Sequence, residues 1–378
     1  MATLSRVRAQ LTALSPLVLL VGLCAVALLN LRRWHSDVRR AQVQPVSTRP
    51  TPTHQPPVSV LVAAWNESEK IEHHIQSFLA LAYPRKQLVL CAGGTDGTFA
   101  LANNFSATEH VIVLEQHAGE GKQRALSRCF NECFGEIIFL TDADCLLDNA
   151  SFDATLAPLL NDGEVVSTGA SHPLKSQKSK PFVLQQWLAD VYVRSHWGEY
   201  TTGLLGRNMA LTRKALQQAG AFEANVRTGT DYHMAQELIA HGYKIRVAPG
   251  SSVATHYADA LADYRKQQAR WLRNVVLHSV DYGDWQAVGR SLTPSFLGFG
   301  MILMPFTAFV LGPISLALWL VVFIHAVASR VRYCRFGSLV TGQPFIYPLL
   351  LPVYVLTDFG VWAAVLPEYL LERLRSRW

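Results

Sequence analysis

Phe139-Leu140-Thr141-Asp142-Ala143-Asp144-Cys145 is the stretch on which the reading of this chain turns. An apolar run over residues 136–140 stops at two aspartates separated by one residue. That pattern describes a buried strand delivering two carboxylates to the end of a sheet. Mg²⁺ and Mn²⁺ take hard oxygen ligands, and Mg²⁺ commonly shares its coordination with substrate phosphates and water. The pair therefore suits a divalent cation carrying a phosphorylated ligand. Asp-x-Asp equally suits a turn or a helix cap, so the rest of the chain has to decide.

Outward from that stretch, strands alternate with helices. Short β-branched or apolar runs at 58–63, 87–91 and 109–114 predict three more strands, and residues 69–81 and 123–133 carry helical spacing. The strands end at Ala64-Trp65-Asn66-Glu67, at the glycine-rich turn Gly93-Gly94-Thr95-Asp96-Gly97-Thr98, and at a loop over 117–122. Alternation of this kind predicts an α/β domain, a mostly parallel sheet with helices on both faces. Ligands bind such sheets at the carboxyl ends of the strands, so these loops are expected to converge on one crevice. From residue 149 to 216 the pattern loosens. Helices are expected at 181–197, 212–218 and 231–240, the last with Asp231 at or near its N-cap and Gly242 ending it, and a strand at 244–247.

Half of the 378 residues are hydrophobic, and the excess is concentrated at 11–31, 296–328 and 345–367. Residues 11–31 are long enough to span a bilayer and read as a retained anchor rather than a cleaved signal peptide. Arginines at 32, 33, 39 and 40 then place the following region in the cytoplasm. Residues 41–57 are a proline-rich spacer. The helix expected over 261–278 is basic and amphipathic and suits a membrane–water interface. Residues 296–328 read as a hairpin of two short helices broken near Gly312-Pro313, or as one kinked span. Asp358, in a last segment expected to be re-entrant, should face protein or water. The net charge of +6 clusters around these segments, which points to membrane topology and anionic lipid rather than nucleic acid. The six cysteines show no paired metal spacing and read as reduced thiols. The expected organisation is an anchor at 1–40, a linker at 41–57, a cytosolic domain at 58–260, an interfacial helix at 261–290 and a membrane region at 291–378.

Taken in order, Ala64-Trp65-Asn66-Glu67, the 93–98 turn, Gly121-Lys122, Thr141-Asp142-Ala143-Asp144, Asp231 and Gln267-Gln268-Ala269-Arg270-Trp271 resemble the inverting family-2 glycosyltransferases. The resemblance is to the membrane-bound branch that includes hyaluronan, chitin, cellulose and poly-N-acetylglucosamine synthases and ceramide glucosyltransferases, and it covers about residues 57–275. It implies the A-type glycosyltransferase fold, flanked by transmembrane helices, at the plasma (inner) membrane with the catalytic domain in the cytoplasm. It also implies a nucleotide-sugar donor, first of all a UDP-sugar, a lipid or glycan acceptor, and Mg²⁺ or Mn²⁺.

By that resemblance, Asp144 and Asp142 would hold the metal, with Asp142 also near the ribose or the sugar. Asn66, Glu67, Asp96, Lys122, Gln267 and Arg270 would bind the donor, Arg270 acting on the pyrophosphate, and Trp271 would line the acceptor site. Asp231 would be the catalytic base, and His256 is an additional ligand candidate. Plainer roles stand beside these: a surface lysine for Lys122, an N-cap for Asp231, an interfacial anchor for the Trp271 helix and a structural role for His256. The chain departs from the family pattern at Cys91-Ala92, where an acidic residue usually reads uracil, and at Thr230, where a glutamate usually precedes the base. A nucleotide other than UDP, a processive polysaccharide synthase and a catalytically inactive binding subunit therefore stay open as alternatives to single transfer to a lipid.

Overall fold

The computed structural model describes residues 2–42, 55–224, 226, 228–345 and 347–375. Most of the linker expected at 41–57 lies outside the described residues. The chain divides into two compact units. One comprises residues 45–178 and 196–257; the other comprises 1–44, 179–195 and 258–378. Residues 179–195, read from sequence as part of the catalytic domain, thus group with the helical segments.

The first unit is built on a nine-stranded sheet. Its strands are β1 (Val58–Trp65), β2 (Lys86–Gly93), β3 (Val111–Gln116), β4 (Ile137–Leu140), β5 (Cys145–Leu146), β6 (Val166–Pro173), β7 (Tyr200–Thr201), β8 (Met209–Thr212) and β9 (Ile245–Thr255). The order is β3-β2-β1-β4-β8-β6-β9-β5, with β7 paired to β9. β1 pairs in parallel with β2 and β4, and β2 with β3. This half agrees with the expected parallel α/β order.

In the other half β6 pairs in parallel with β9, while β8 runs antiparallel to both β4 and β6, and β5 and β7 run antiparallel to β9, so the sheet is mixed. The loosened stretch after residue 149 holds a helix, Asn149–Asn161, and the long strand β6. The strand expected at 244–247 runs on to Thr255, because Gly250 adopts φ +77° within it and the chain continues extended. Pro249-Gly250 lies in an irregularity of the β6 pairing, whose register passes from Thr168 opposite Val247 to Ala170 opposite Ser252, so the strand resumes beyond that break.

Apolar layers cover both faces. Val60, Val62, Leu88, Leu90 and Phe139 pack with Ile71, Ile75, Phe78 and Phe152 on one face. On the other, Leu61, Val89, Ile138 and Leu140 pack with Leu126, Cys129, Met209 and Leu238. Burial on both sides explains why β1, β2 and β4 read as continuous apolar runs, and the edge strand β3 is half-buried.

The second unit is helical. Ala2–Gln42 packs along Pro313–Thr341, and Trp285–Leu303 packs against Leu351–Arg375. Glycines let these backbones approach: a Cβ at Gly22 would lie 2.6 Å from Val321, and one at Gly298 would lie 2.5 Å from the Phe359 carbonyl. Among the described residues three helices, Ala9–Gln42, Trp285–Leu311 and Pro313–Thr341, are long and apolar enough to cross a membrane. The break at Gly312 falls where the hairpin reading put it, but both arms are full length. Helical structure runs past the apolar core at either end, through Arg290 on one side and Ser329–Thr341 on the other. Asp358 is buried against protein, where it accepts hydrogen bonds from Arg330 and from Tyr264 Oη at 2.6 Å. Arg332 is likewise buried and bonds Asp37 and Tyr192.

Candidate active site

The two aspartates leave β4 in a turn closed by Cys145 N–H on the Asp142 carbonyl at 3.1 Å. Burial alternates through it. Thr141, Ala143 and Cys145 are buried, whereas Asp142 and Asp144 are partly exposed. The turn and site readings of Asp-x-Asp are therefore compatible: the turn is what turns two carboxylates outward together. Behind it, the buried His74 of helix Ile71–Leu79 contacts the Cys145 carbonyl at 2.7 Å through Nδ1. Burial lowers the His74 pKa, so the ring is neutral and donates this bond. Nothing in the sequence marks His74, a lone polar residue on an apolar helix face.

Two cations meet the carboxylates. Lys122, in the first turn of helix Gly121–Glu132, places Nζ 2.5 Å from Asp142 Oδ1. Desolvation works to lower its pKa, but the carboxylates of Asp142 and then Asp231 outweigh it and hold the ammonium above its ordinary value. From the turn before β8, Arg207 brings Nε to 4.0 Å from Asp142 Oδ2 and faces both aspartates electrostatically. Arg207 was missed in the sequence; the only signal there is a cation after Gly206 just before a short apolar strand.

Asp231 borders the same cleft, which Lys122, Thr141, Gly206, Met209 and Thr230 also line. It is not an N-cap: Gly229 takes that place with φ +72°, and Asp231 is the second residue of helix Thr230–Ala240. Its Oδ1 accepts the Tyr232 N–H at 2.9 Å. A Cβ at position 206 would lie 2.9 Å from the Asp231 Cβ, so this close approach requires glycine. The loop that carries Arg207 thereby also fixes Asp231.

The loops after β1 and β2 are clamped to one another. Asn66, at φ +58°, accepts the Thr95 N–H on Oδ1 at 2.8 Å. Asp96 accepts Ser68 N–H at 2.9 Å, Thr98 N–H at 3.0 Å and Thr98 Oγ1–H at 2.6 Å. Desolvation opposes ionisation of Asp96, but these hydrogen bonds prevail and hold its pKa well below the carboxylate range. Glu67 pairs with Lys70 at 2.8 Å; burial raises its pKa, and the nearby charges of Asp144 and Asp142 raise it further.

Cys91 and Ala92 are fully buried strand residues, so no side chain there reaches a ligand. His256 follows Thr255, the β9 partner of Cys145, but no group of three or more His, Cys, Asp or Glu is placed to hold a metal among the described residues. Gln267, Arg270 and Trp271 lie on helix Leu261–Asp281 of the other unit, with Arg270 and Trp271 exposed.

Comparison with known proteins matches a family described as glycosyltransferase like family 2 to residues 56–274. The chain belongs to glycosyltransferase family 2. It is 27% identical over 233 residues to a probable glycosyltransferase, YdaM, of Bacillus subtilis strain 168, covering 58% of this chain and 55% of that one. It is 22% identical over 220 residues to a poly-β-1,6-N-acetyl-D-glucosamine synthase of Staphylococcus aureus strain COL, covering 57% and 53%. The chain thus spans about half the length of these relatives. A mannosyltransferase from Pyrobaculum calidifontis, solved with GDP-Man and Mn²⁺, superposes with a TM-score of 0.53 at 18% identity, covering 97% of this chain and 99% of that one. The family-2 chain therefore has the A-type glycosyltransferase fold.

Proposed function

We propose that this family-2 chain is a membrane-bound inverting glycosyltransferase that moves a sugar from a nucleotide donor to a lipid or glycan acceptor. The observation that carries the reading is the meeting of Lys122 and Arg207 with Asp142 and Asp144 beside Asp231. A half-exposed pair such as Lys122–Asp142 adds only about 0.2–1 kcal/mol to stability. Charges gathered at that small return suit a polyanionic ligand better than a structural role.

Asp142 and Asp144 supply the oxygen donors that Mg²⁺ or Mn²⁺ needs, and donor phosphates and water would complete the shell. The metal, when bound, would stabilise charge on the departing nucleoside diphosphate. Lys122 would orient the pyrophosphate and add positive charge where the leaving group develops. Asp231, with one oxygen held by the Tyr232 N–H, would take the proton of the acceptor hydroxyl through the other. Gln267, Arg270 and Trp271, in the order the family motif gives them, would bind the donor and the acceptor.

UDP is the first nucleotide to test. The buried Cys91-Ala92 means that base recognition would rest on other groups, backbone groups or Asn66 and Glu67, and it makes GDP the direct comparison. Three long apolar helices support placement in the plasma (inner) membrane, with the sheet-bearing unit in the cytoplasm by the charge rule. The synthase relatives favour a second reading, processive polymerisation.

Purified full-length protein screened by thermal shift against nucleotide-sugars with Mn²⁺ tests the donor. The right one should stabilise by about 2.7 kcal/mol at roughly 100 times its Kd, and stabilisation by none would overturn the reading. Radiolabelled product entering organic solvent would establish a lipid acceptor, and a long water-soluble polymer would establish the synthase.

A further inference from the structure

Arg207 and Lys122 both serve Asp142, but they are held very differently. Lys122 is 43% exposed and reaches the carboxylate at the end of a flexible stem. Arg207 is 14% exposed, and its Nη1 donates to Thr255 Oγ1 at 3.3 Å. Thr255 is itself fixed by β5–β9 pairing opposite Cys145, the residue after Asp144.

Behind Arg207 the chain is locked by a buried polar network. Asn208 is fully buried, and its Nδ2 donates to the Ala170 carbonyl and to Ser251 Oγ, both at 2.8 Å. Its Oδ1 accepts from Thr155 Oγ1 at 2.8 Å, and its N–H closes a turn on the Leu205 carbonyl at 2.8 Å. A Cβ at Gly169 would lie 2.3 Å from Asn208 Nδ2, so the neighbouring strand also leaves this amide no room to move. A fully satisfied buried network of this kind specifies one arrangement of the backbone that carries it.

We propose that Arg207 is a built-in counter-charge to Asp142 and Asp144 that makes tight divalent-cation binding conditional on the donor's pyrophosphate. The proposal rests on the reading of the two aspartates as cation ligands. A cation entering between them meets a permanent positive charge that cannot swing away. Two carboxylates already opposed by Arg207 and Lys122 offer a divalent ion little net attraction. A nucleoside diphosphate brings two or more negative charges and reverses that balance, so the cation binds with the nucleotide rather than before it. Arg207 is thus a positioning residue for metal and donor together.

The test is Mn²⁺ binding, followed by electron paramagnetic resonance on the full chain in detergent, alone and with UDP or GDP. The wild type should bind Mn²⁺ weakly alone and more tightly with nucleoside diphosphate. Arg207→Gln should bind Mn²⁺ alone about tenfold more tightly, the effect of deleting one partly screened like charge nearby, and should depend less on nucleotide. Arg207→Lys, which keeps the charge but not the held guanidinium, should fall between wild type and Arg207→Gln, and adding Asp144→Asn to Arg207→Gln should abolish the gain. Thr255→Val, which frees the guanidinium without removing it, should give an intermediate gain and serves if Arg207→Gln does not fold.

Folded Arg207→Gln that binds Mn²⁺ alone no more tightly than wild type would overturn the proposal, whatever the transfer activity. Gained Mn²⁺ affinity in a protein that no nucleotide tightens would instead retain the counter-charge and overturn the donor reading.

Discussion

The loop pair around Asn66 and Asp96 and the cleft around Asp142 draw on the same residue types at the ends of neighbouring strands, and they use them in opposite ways. In the loop pair each polar oxygen is spent inside the fold: Asn66 Oδ1 on Thr95, Asp96 on Ser68 and Thr98. In the cleft charged groups face one another across a partly open space, with Lys122 and Arg207 on Asp142 and with Asp231 against Gly206. Satisfied hydrogen bonds make a scaffold. Charges that exceed what folding requires mark a working surface. Residues gathered under one family resemblance thus divide into two kinds, and substitution can separate them.

The largest separation is expected at Asp142 and Asp144. Asp142→Asn and Asp144→Asn should each lower sugar transfer by about 10³-fold, the scale of losing one electrostatic contact to a leaving group. Their thermal midpoints should stay close to wild type, because exposed pairs contribute only about 0.2–1 kcal/mol. Radiolabelled transfer and thermal unfolding measured on the same samples decide it. A collapse of the midpoint would move these aspartates to the scaffold side.

Asp231→Asn comes next. The amide oxygen can still accept the Tyr232 N–H, so the helix start should survive. Removing the proton acceptor should lower kcat by about 10²–10⁴-fold. Donor binding by thermal shift should be unchanged, because the loss falls on the chemical step. Lost donor binding would instead assign Asp231 to the nucleotide.

The same contrast explains what the sequence made legible. β1, β2 and β4 were readable because strands buried on both faces are written as unbroken apolar runs ending at loops, and the half-buried edge strand β3 kept an apolar run over Val111–Leu114. β6 was not readable, and β9 was read only over its first residues, since their partners are distant in sequence and Thr, Ser, Gly and Pro make up most of β6 and of the 249–255 end of β9. A buried network of Ser167, Asn208 and Ser251 stabilises that region, and such a network has no hydrophobic period to detect. Asp142, Lys122 and Asp231 could be singled out because an ordered motif set carried them. Arg207 escaped because its neighbours come together only through the β4–β8 pairing and the Thr255 end of β9. The cap role that stood beside the base reading of Asp231 falls instead to the left-handed Gly229.

The smallest effect on activity is expected at Asp96, and it sharpens the contrast most. In Asp96→Asn, Oδ1 can still accept both bonds from Thr98. The amide nitrogen would then replace Oδ2 and set a donor against the Ser68 N–H. Transfer should fall less than about threefold, and stability by about 0.5–1 kcal/mol once solvent screening is allowed for. The acid side carries the signature. A carboxylate whose folded pKa lies below its unfolded value near 3.9 contributes stability that is present above that value and is lost as pH falls through the folded pKa. Asp96→Asn has no such proton to bind, so its unfolding midpoint should fall less steeply than that of wild type below about pH 4. Equal slopes would mean that the loop clamp is not what keeps this carboxylate ionised. A loss of transfer as deep as that of Asp142→Asn would move Asp96 into the cleft's chemistry and erase the division between the two regions.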